Sequence, residues 1–333
     1  MIRQGLGTAV LLWAAVFLPV FLFVKPEGTA VEPLQTQQVL QTLQEETACK
    51  DAQQTLRLWL DGKAVQLSVE EYLQGVLRGE MGAAFHMEAL KAQTVAERTY
   101  LYYQMEAGAK AVHPLADVCA DPGCCTAYLS EAAAREKWGA VFEEHDARIR
   151  EAVAATDAQV MYYDGAPIMA VFHSSSAGHT ATSGEVWTAD LPYLVSVESP
   201  ESADTVPNYY SVISVSAEEF RAKITAAYPE AKLEGGVENW ISEVIRSKTG
   251  RVESANVGGI TLTGQELRRL FSLRSTSFTV ETGESVTFRV TGYGHGVGMS
   301  QYGANTLANE GKSWQEILCW YYTGITIGDY TGR

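Results

Sequence analysis

Hydrophobic and polar positions repeat with two different periods along the chain, and the period distinguishes strands from helices. Two stretches, TLRLWL and AVQLSV, alternate around Asp61-Gly62, which predicts a β-hairpin. Residues 69–80 and about 86–108 instead carry apolar residues at helical intervals, with a break at Gly82 between them. The sequence therefore predicts a hairpin followed by two helices.

Strand patterns become more frequent in the second half of the chain. The residues MYYDGAPIMAVF predict a second hairpin around Asp164-Gly165, and Thr263 is the expected cap of a helix that follows the strand ITLT. The other expected elements are strands at 193–197, 278–280 and 286–290, and helices at 127–138, 145–155 and 314–322. Separate runs of helices and strands predict an α+β fold, whose strand order the sequence does not fix.

An almost unbroken apolar run covers residues 8–24. As a helix it is just long enough to cross roughly 30 Å of hydrocarbon. We expect residues 1–25 to form an uncleaved transmembrane anchor, because the run exceeds the usual apolar length of a signal peptide. A cleaved signal peptide is the alternative, since the small residues 28–30 suit a signal peptidase. In both cases the rest of the chain is exported.

The composition of the remaining chain separates a tether from a domain. Residues 26–50 contain two prolines, five glutamines and no aromatic residue, which is typical of a stalk. Residues 51–330 are expected to form the extracytoplasmic domain. The chain has 40 acidic and 25 basic residues, a formal charge of -15 that repels nucleic acid, so no nucleic-acid partner is expected.

Four potential metal ligands lie within thirteen residues: His113, Cys119, Cys124 and Cys125. One histidine and three thiolates can form a closed tetrahedral zinc site. Because a closed site has no open position for a water, the zinc would be structural rather than catalytic. A disulfide from Cys119 to one of the other two cysteines is the alternative in an oxidising exterior. We favour zinc because His113 completes the ligand count.

Glu80 is a candidate catalytic acid at the end of the first predicted helix. Apolar Leu77, Met81 and Phe85 are close in sequence, and loss of solvent there would raise the pKa of the carboxyl. The local sequence is equally compatible with a solvated glutamate at a helix end. Spacing alone therefore makes Glu80 only a weak candidate.

The stretch 291–303, TGYGHGVGMSQYG, has a glycine at every second position from 292 to 298. As a strand it would leave one face bare for close approach of a ligand, with Tyr293, His295 and Val297 on the opposite face. It matches no dinucleotide fingerprint, phosphate loop or serine nucleophile elbow, which argues against nucleotide and serine-hydrolase functions. A glycine-rich structural turn is the alternative.

A polar loop, His173-Ser-Ser-Ser-Ala-Gly-His179, follows a predicted strand. Its donors and acceptors match the hydroxyl groups of a sugar, although an exposed serine loop is an equally good interpretation. Sequence adjacency of serine and histidine does not by itself indicate a catalytic triad.

Taken in order, these segments resemble the sporulation stage II protein D family of peptidoglycan lytic transglycosylases over nearly the whole exported part. The matching motifs are YLxGV leading to Glu80-Met81, EALKAQxxAxRTY at 88–100, the His/Cys loop, FHS at 172–174, VW at 186–187, PYL at 192–194 and GHGVGMSQYGA at 294–304. Three positions depart from the family pattern: Gly82 replaces a usual proline, Ala177 replaces a usual glycine, and Cys124 replaces the histidine of some relatives.

The resemblance implies roles for particular residues. It makes Glu80 the catalytic acid and zinc the structural metal at the His/Cys loop. The residues it implies in substrate binding are Arg98, His173, Ser174, Tyr293, His295, Gly296, Ser300, Gln301 and Tyr302. The α+β fold would pack the helices that carry Glu80 beside a strand-rich region, with a glycan groove formed by the two.

The resemblance also implies a reaction and partners. Glu80 would cleave the bond between N-acetylmuramic acid and N-acetylglucosamine in peptide-stripped strands and leave 1,6-anhydro-muramic ends. The expected setting is cell-wall remodelling and engulfment at the sporulation septum. The protein would be a single-pass membrane protein, with a cell-wall amidase and a membrane scaffold of the engulfment machinery as partners. A non-catalytic, glycan-binding activator of the amidase is the alternative, whereas the closed ligand set argues against a zinc hydrolase.

Overall fold

Helices form the larger part of the chain between the first hairpin and residue 154. A computed structural model describes residues 49–187 and 189–332. Its α-helices are α1 (Lys50–Gln53), α2 (Val69–Glu80), α3 (Met87–Ala107), α4 (Glu131–Trp138), α5 (Phe142–Ala154), α6 (Ser183–Val186), α7 (Ala217–Ala227), α8 (Gly264–Leu270), α9 (Gln301–Asn309) and α10 (Trp314–Tyr321). Short 3-10 turns cover Gly139–Val141 and Val237–Asn239.

Strands pair in several small sheets rather than in one large sheet. They are β1 (Thr55–Leu60), β2 (Lys63–Ser68), β3 (Val118–Cys119), β4 (Gln159–Tyr163), β5 (Ala166–Pro167), β6 (Phe172–His173), β7 (Tyr210–Ser216), β8 (Ile241–Arg246), β9 (Val252–Val257), β10 (Ile260–Thr263), β11 (Phe278–Thr282), β12 (Ser285–Thr291), β13 (Met299–Ser300) and β14 (Thr326–Asp329). The strand orders are β2-β1-β3, β14-β4-β5, β13-β6, β11-β12-β7 and β10-β9-β8. The β1-β3 and β13-β6 pairs are parallel, and the other strand pairs are antiparallel. This mixture of helices and several small sheets confirms the α+β class.

Both predicted hairpins are present, and each turn has backbone dihedrals that suit its residues. Asp61 and Gly62 have φ of 50° and 79°, and Asp164 and Gly165 have φ of 49° and 78°. Positive φ at both central residues matches the twist of antiparallel strands, which is why Asp-Gly is favoured there. The first turn aligns β1 with β2 over six residue pairs.

The two predicted long helices occur within a residue of their expected limits, and local caps explain where they begin. Ser68 and Glu71 form a reciprocal capping box at the start of α2. The α3 helix begins after His86, whose ring accepts a hydrogen bond from the Glu88 amide. Buried residues surround most of α3 between Ala89 and Gln104, so it is the central helix of the first core.

The described residues form two hydrophobic cores. The first lies among α2, α3, α5, α9, α10 and the strands that contact them. The second lies within residues 210–291, among α7, α8 and two three-stranded sheets. At its boundary the Gly292 amide donates to the Tyr209 carbonyl at 2.9 Å. Residues 210–291 are therefore an insert whose two ends meet; we call it the strand-rich insert.

Two expected strands are wrong. Residues 193–197 form turns and irregular backbone, and residues 292–298 form a loop rather than a strand with a bare face. All four alternating glycines of that loop, which we call the glycine loop, have φ between 70° and 120°. Positive φ interrupts the regular pleat of a strand, so the glycines do not share one face.

The single-pass membrane location expected from the sequence is corrected by the structure. Within residues 49–187 and 189–332, no helix is long and apolar enough to cross a membrane. The α3 helix has 21 residues, but it contains charged residues such as Lys91, Glu97 and Arg98 and is therefore not apolar enough. The predicted anchor at 1–25 and nearly all of the predicted stalk at 26–50 lie outside the described residues. Lys50, at the end of that stalk, already belongs to α1.

Candidate active-site cleft and metal centre

The end of α2, the His/Cys loop, the glycine loop and the strand-rich insert meet around a cleft of about 500 Å³. Its lining residues are Gly79, Glu80, Tyr100, Pro122, Cys125, Thr126, Ala170, Val171, Phe172, His173, Ser174, Arg268, Tyr293, Gly294, His295 and Gln301. The structure thus brings together six residues predicted as catalytic or substrate-binding: Glu80, His173, Ser174, Tyr293, His295 and Gln301. Cys125 of the predicted metal site also lines the cleft.

Glu80 is the last residue of α2 and is largely shielded from solvent. Burial raises the pKa of its carboxyl, and a hydrogen bond that Oε1 accepts from the Ala127 amide opposes this shift. Gln301 Nε2 donates to the Glu80 carbonyl at 3.2 Å, which ties the helix end to the start of α9. A raised pKa of Glu80 is the property predicted above for a general acid at this position.

Two glycines allow the Ala127 amide to approach Glu80. A side chain at Gly75 would overlap the Tyr128 ring, with a Cβ only 2.1 Å from it. A Cβ at Gly79 would lie 3.0 Å from the Ala127 backbone. The loop therefore crosses α2 in direct contact, and the Leu129 amide donates to the Gly75 carbonyl at 2.9 Å. This close crossing fixes the orientation of the Glu80 carboxyl.

Glu80 supplies the one carboxylate among the described residues that line the cleft. A second carboxyl, Glu97, lies in the core on α3 and is fully buried. Gln93 Nε2 donates to Glu97 Oε1 at 2.9 Å, while Glu97 Oε2 and Gln93 Oε1 have no partner among the described residues. Burial first, and the charge of Glu80 in addition, raise the pKa of Glu97 well above its ordinary value.

Two histidines in the cleft lining are bonded within the protein. His173 is bonded through Nδ1 to the Val297 carbonyl at 3.2 Å and through Nε2 to the Ser176 hydroxyl at 2.7 Å. His295 Nδ1 accepts from the Val297 amide at 3.1 Å. Burial lowers the pKa of His173 well below its usual range and that of His295 to about 4. Both rings are therefore neutral at neutral pH.

The glycine loop packs against the protein's own chain. A Cβ at Gly294 would lie 2.6 Å from the His173 Cβ, and one at Gly298 would lie 2.0 Å from the Val171 carbonyl. At Gly296 it would lie 2.5 Å from the Arg251 guanidinium, and Gly296 does not line the cleft. The absence of side chains therefore serves internal packing at these positions, which corrects the ligand contact expected of Gly296.

Three other expected substrate contacts also lie outside the cleft lining. Arg98 is fully buried, and its guanidinium pairs with Asp51 at 2.6 Å. Ser300 is buried and caps α9, accepting from the Gly303 amide at 3.2 Å. The Tyr302 ring packs on Phe85 with centroids 5.0 Å apart. The contacts of these three side chains lie within the protein, and none of the three lines the cleft.

Sequence reasoning missed two charged residues near this site. Arg268 on α8 lines the cleft. Glu201 is buried and accepts hydrogen bonds from the Ser176 amide and from the hydroxyls of Ser199 and Ser300. The sequence offered one weak signal, the Arg268-Arg269 pair in an acidic chain. No local pattern marks Glu201, because two of its three partners, Ser176 and Ser300, are distant in sequence.

The four predicted metal ligands come together beside the cleft. The ligand atoms of His113, Cys119, Cys124 and Cys125 all lie within 4.8 Å of one another. The Cys124 and Cys125 sulfurs are 3.9 Å apart, which fits the edge of roughly 3.8 Å in a tetrahedron with zinc–sulfur bonds of about 2.3 Å. All five cysteines are described and free, so no disulfide competes in this structure.

The surroundings of the cluster also suit a metal. His113 Nδ1 is bonded to the Ala116 carbonyl at 3.1 Å, and its Nε2 faces the Cys125 sulfur at 3.5 Å. A donor bond at Nδ1 leaves Nε2 free as a ligand, the arrangement common around zinc-bound histidines. Lys110 Nζ lies 3.3 Å from the Cys125 sulfur.

Comparison with known proteins extends these observations. A family model described as Stage II sporulation protein matches residues 62–163. The chain is 36% identical over 265 residues to Stage II sporulation protein D of Bacillus subtilis (strain 168), covering 79% of this chain and 75% of that protein. The chain belongs to the stage II sporulation protein D family. The family assignment confirms the resemblance drawn from the motifs.

Two further proteins are similar to this chain and carry different names. Stage II sporulation protein D of Bacillus amyloliquefaciens is 34% identical over 264 residues, with 79% of this chain and 75% of that protein covered. A Bacillus subtilis (strain 168) protein called Amidase enhancer is 28% identical over 310 residues, with 78% of this chain but only 40% of that protein covered.

Proposed function

We propose that this family member is a peptidoglycan lytic transglycosylase that remodels the cell wall during sporulation, with Glu80 as its general acid and base. The observation that carries the proposal is that Glu80 is the single carboxyl among the described residues of the cleft lining, with its pKa raised by burial. Glycosidases that use water or a covalent intermediate need two carboxylates flanking the bond. A transglycosylase needs one, because the substrate supplies its own nucleophile.

Glu80 acts twice in this mechanism. In its protonated form it donates to the oxygen that links N-acetylmuramic acid C1 to the next N-acetylglucosamine, and the C1–O bond breaks. The resulting carboxylate accepts the proton of the muramic C6 hydroxyl, whose oxygen bonds to C1. The products are a shortened strand with a free hydroxyl and a 1,6-anhydro-muramic end, and Glu80 is protonated again.

The Ala127 amide positions the acid for both steps. It bonds Oε1, while Oε2 has no hydrogen-bond partner among the described residues. One oxygen is thus held in place and the other is left for the sugar. Because the Ala127 amide stabilises the carboxylate, it also keeps the pKa of Glu80 from rising so far that the base step becomes unfavourable.

Polar and aromatic groups beside Glu80 suit a glycan. Tyr293 is about half exposed, and its ring offers a face on which a sugar can stack. Ser174 and Gln301 line the cleft with groups that can bond hydroxyls and acetamido groups. His173 and His295 are neutral and hold the backbone of this wall through Val297, so their contribution is to its shape.

We also propose that the His/Cys cluster holds a structural zinc. His113, Cys119, Cys124 and Cys125 supply a full tetrahedral set, so the metal would contribute folding free energy. The cluster lies directly before Thr126 and Ala127 in the chain. Holding this loop in place would hold the amide that orients Glu80, which gives the metal site an indirect role in catalysis.

A cell-wall amidase is the proposed partner, because a relative carries the name Amidase enhancer. The same name favours the second candidate function, a non-catalytic module that binds glycan and stimulates an amidase. In that case Glu80 would accept hydrogen bonds from sugar hydroxyls without transferring a proton.

Glu80→Gln tests the catalytic proposal. The change keeps size and hydrogen-bonding capacity but removes the transferable proton, so we expect about 10²-fold or greater loss of rate with binding retained. Peptide-free glycan strands are incubated with the full-length protein, and product ends are weighed by mass spectrometry. The control is Glu70→Gln, at the opposite end of the same helix, which should retain full activity.

Product mass separates the possible mechanisms. Anhydro ends are lighter by one water molecule than the reducing ends left by hydrolysis. Reducing ends alone would contradict the single-carboxylate mechanism, and full activity of Glu80→Gln would exclude Glu80 as the acid. Binding without cleavage by the wild-type protein, together with faster amidase turnover in its presence, would favour the activator.

A further inference from the structure

Arg268 is a cation of the cleft without an anionic partner. It lies on α8 of the strand-rich insert, and its Nε donates to the Leu273 carbonyl at 3.2 Å, which holds the side chain in place. Among the ion pairs of the described residues, none involves Arg268. The side chain is more than half shielded from solvent. Two nitrogens of the guanidinium are therefore available to a ligand.

The neighbours of Arg268 leave its charge uncompensated. Glu80 is the one carboxylate of the described lining, and it must hold a proton to act as an acid. Burial first, and the charge of Arg268 in addition, lower the pKa of both His173 and His295, so the guanidinium lies near those two rings. Although the formal charge of the chain is -15, Arg268 gives the described part of the cleft lining a positive charge without an ion-pair partner. A shielded cation without a partner is unfavourable, and a ligand anion would relieve that cost.

The substrate class of the proposed function carries such an anion. An amidase that removes a stem peptide hydrolyses the amide bond on the lactyl group of muramic acid. The product is a free lactyl carboxylate, whereas an unprocessed strand has a neutral amide there. Removal of the peptide thus creates one negative charge per muramic acid, at a group attached to C3 of the sugar ring that is cleaved at C1.

We propose that Arg268 is the residue that binds the free lactyl carboxylate of peptide-stripped muramic acid, the form of the strand that the family resemblance implies as substrate. The proposal rests on the function proposed above. Arginine suits this task because its planar fork matches a carboxylate with two parallel hydrogen bonds. The strand-rich insert would then select the substrate, while α2 supplies the acid that cleaves it.

The first test needs no variant. A defined peptide-free tetrasaccharide with free lactyl carboxylates is compared with the same compound converted to N-methyl lactamides, which are similar in size but neutral. For the full-length wild-type protein we expect kcat/KM to be about 10- to 100-fold higher for the carboxylate, the range of a charge-assisted hydrogen bond. Equal kcat/KM for both compounds would overturn the proposal and leave the transglycosylase function intact.

Variants then assign the preference to this residue. Arg268→Gln should lose most of the preference, mainly through a higher KM for the carboxylate compound, with the neutral compound little affected. Arg268→Lys should recover part of it, because it keeps the charge but loses the fork. The matched control is Arg269→Gln, an equal loss of charge at an exposed neighbour outside the cleft lining, which should keep the full preference. An undiminished preference in folded Arg268→Gln would overturn the assignment.

Binding separates failure of this proposal from failure of the proposed function. Calorimetric titration of Glu80→Gln with both tetrasaccharides measures affinity without cleavage. Tighter binding of the carboxylate, abolished by adding Arg268→Gln, would support the carboxylate site even if the wild-type protein never cuts a strand. Equal affinities would contradict it even if the wild-type protein produces anhydro ends.

Discussion

The two cores of this protein bury different kinds of side chain. The first core, around α2 and α3, contains charged groups that are almost wholly shielded: the pairs Asp51–Arg98 and Arg78–Asp146 and the lone carboxyl Glu97. The core of the strand-rich insert contains a chain of contacting aromatic rings: Phe220, Phe271, Phe288, Trp240 and Phe278. The first core thus combines buried ion pairs with apolar packing, whereas the core of the insert consists of apolar side chains.

This difference explains which functional group each region can supply to the cleft. Buried charges need fixed partners, so the first region positions its polar groups accurately and carries the acid of the cleft. The insert places its charged groups at its boundary, where Arg251 donates to the His179 carbonyl and Arg268 lines the cleft. An apolar core is thus sufficient for the insert to present Arg268 on a rigid support. Four substitutions test this contrast, beginning with the largest expected effect.

Asp51→Ala should destabilise the first region most. It leaves the Arg98 guanidinium, fully buried, without its anion, and breaking a buried pair in this way costs about 3–5 kcal/mol. Chemical denaturation monitored by circular dichroism measures the loss. The double variant Asp51→Leu with Arg98→Met should recover much of the stability, because neither charge is then left unpaired. A double variant no more stable than Asp51→Ala would show that the pair itself, rather than the orphaned charge, is decisive.

Cys119→Ser should lower metal content and stability together, by roughly 3 kcal/mol, if the cluster holds zinc. Metal is quantified by mass spectrometry on protein prepared with zinc, and stability by thermal unfolding. Cys319→Ser is the control, because Cys319 is exposed and lies outside the cluster. Metal-replete wild-type protein that contains no zinc would refute the metal site.

Glu97→Gln should stabilise the protein by roughly 1–3 kcal/mol at neutral pH, since it removes the cost of keeping an unsatisfied carboxyl buried. The folded-state pKa of Glu97 is raised, so the folded protein binds its proton more tightly than the unfolded chain. Wild-type stability therefore falls as pH rises above the ordinary glutamate pKa, and the variant should show a flatter dependence. Unfolding midpoints at about pH 5 and about pH 8 measure this difference. Glu106→Gln, on the exposed end of the same helix, should leave the dependence unchanged.

Glu281→Ala in the insert should have the smallest effect. Its pair with Arg289 has the same chemistry as Asp51–Arg98, but both partners are more than half exposed. Water and salt screen such a pair, so the unfolding midpoint should not change measurably. A loss as large as that of Asp51→Ala would remove the contrast between the two regions.

Elements whose formation depends on neighbouring residues could be predicted from the sequence. The Asp-Gly hairpins, the capped helix after Thr263 and α2 all depend on turn dihedrals, caps and periodicity within a few residues. Glu80 could be selected as a candidate acid from its position at a helix end and from the family motif. The hydrogen bond from Ala127 could not be predicted, because it requires a loop 47 positions away to cross α2 at two glycines.

The errors have a common physical origin. Alternating glycines predicted a strand with a bare face, because periodicity does not reveal the sign of φ at each position. Arg98 has the motif position of a ligand contact, yet Asp51 neutralises it inside the core. Arg268 was missed because its importance lies in having no anionic partner among the described residues, a property that only the folded arrangement reveals.

The position of the strand-rich insert in the chain has a consequence for biosynthesis. Glu80 precedes the insert, whereas the glycine loop, Gln301 and β13, which pairs with β6, all follow it. A ribosome must therefore translate the whole insert before the cleft can close around the acid, and such distant pairings are slow to form. A nascent chain that ends within residues 210–291 therefore carries Glu80 but lacks the glycine loop and Gln301, which complete the cleft lining.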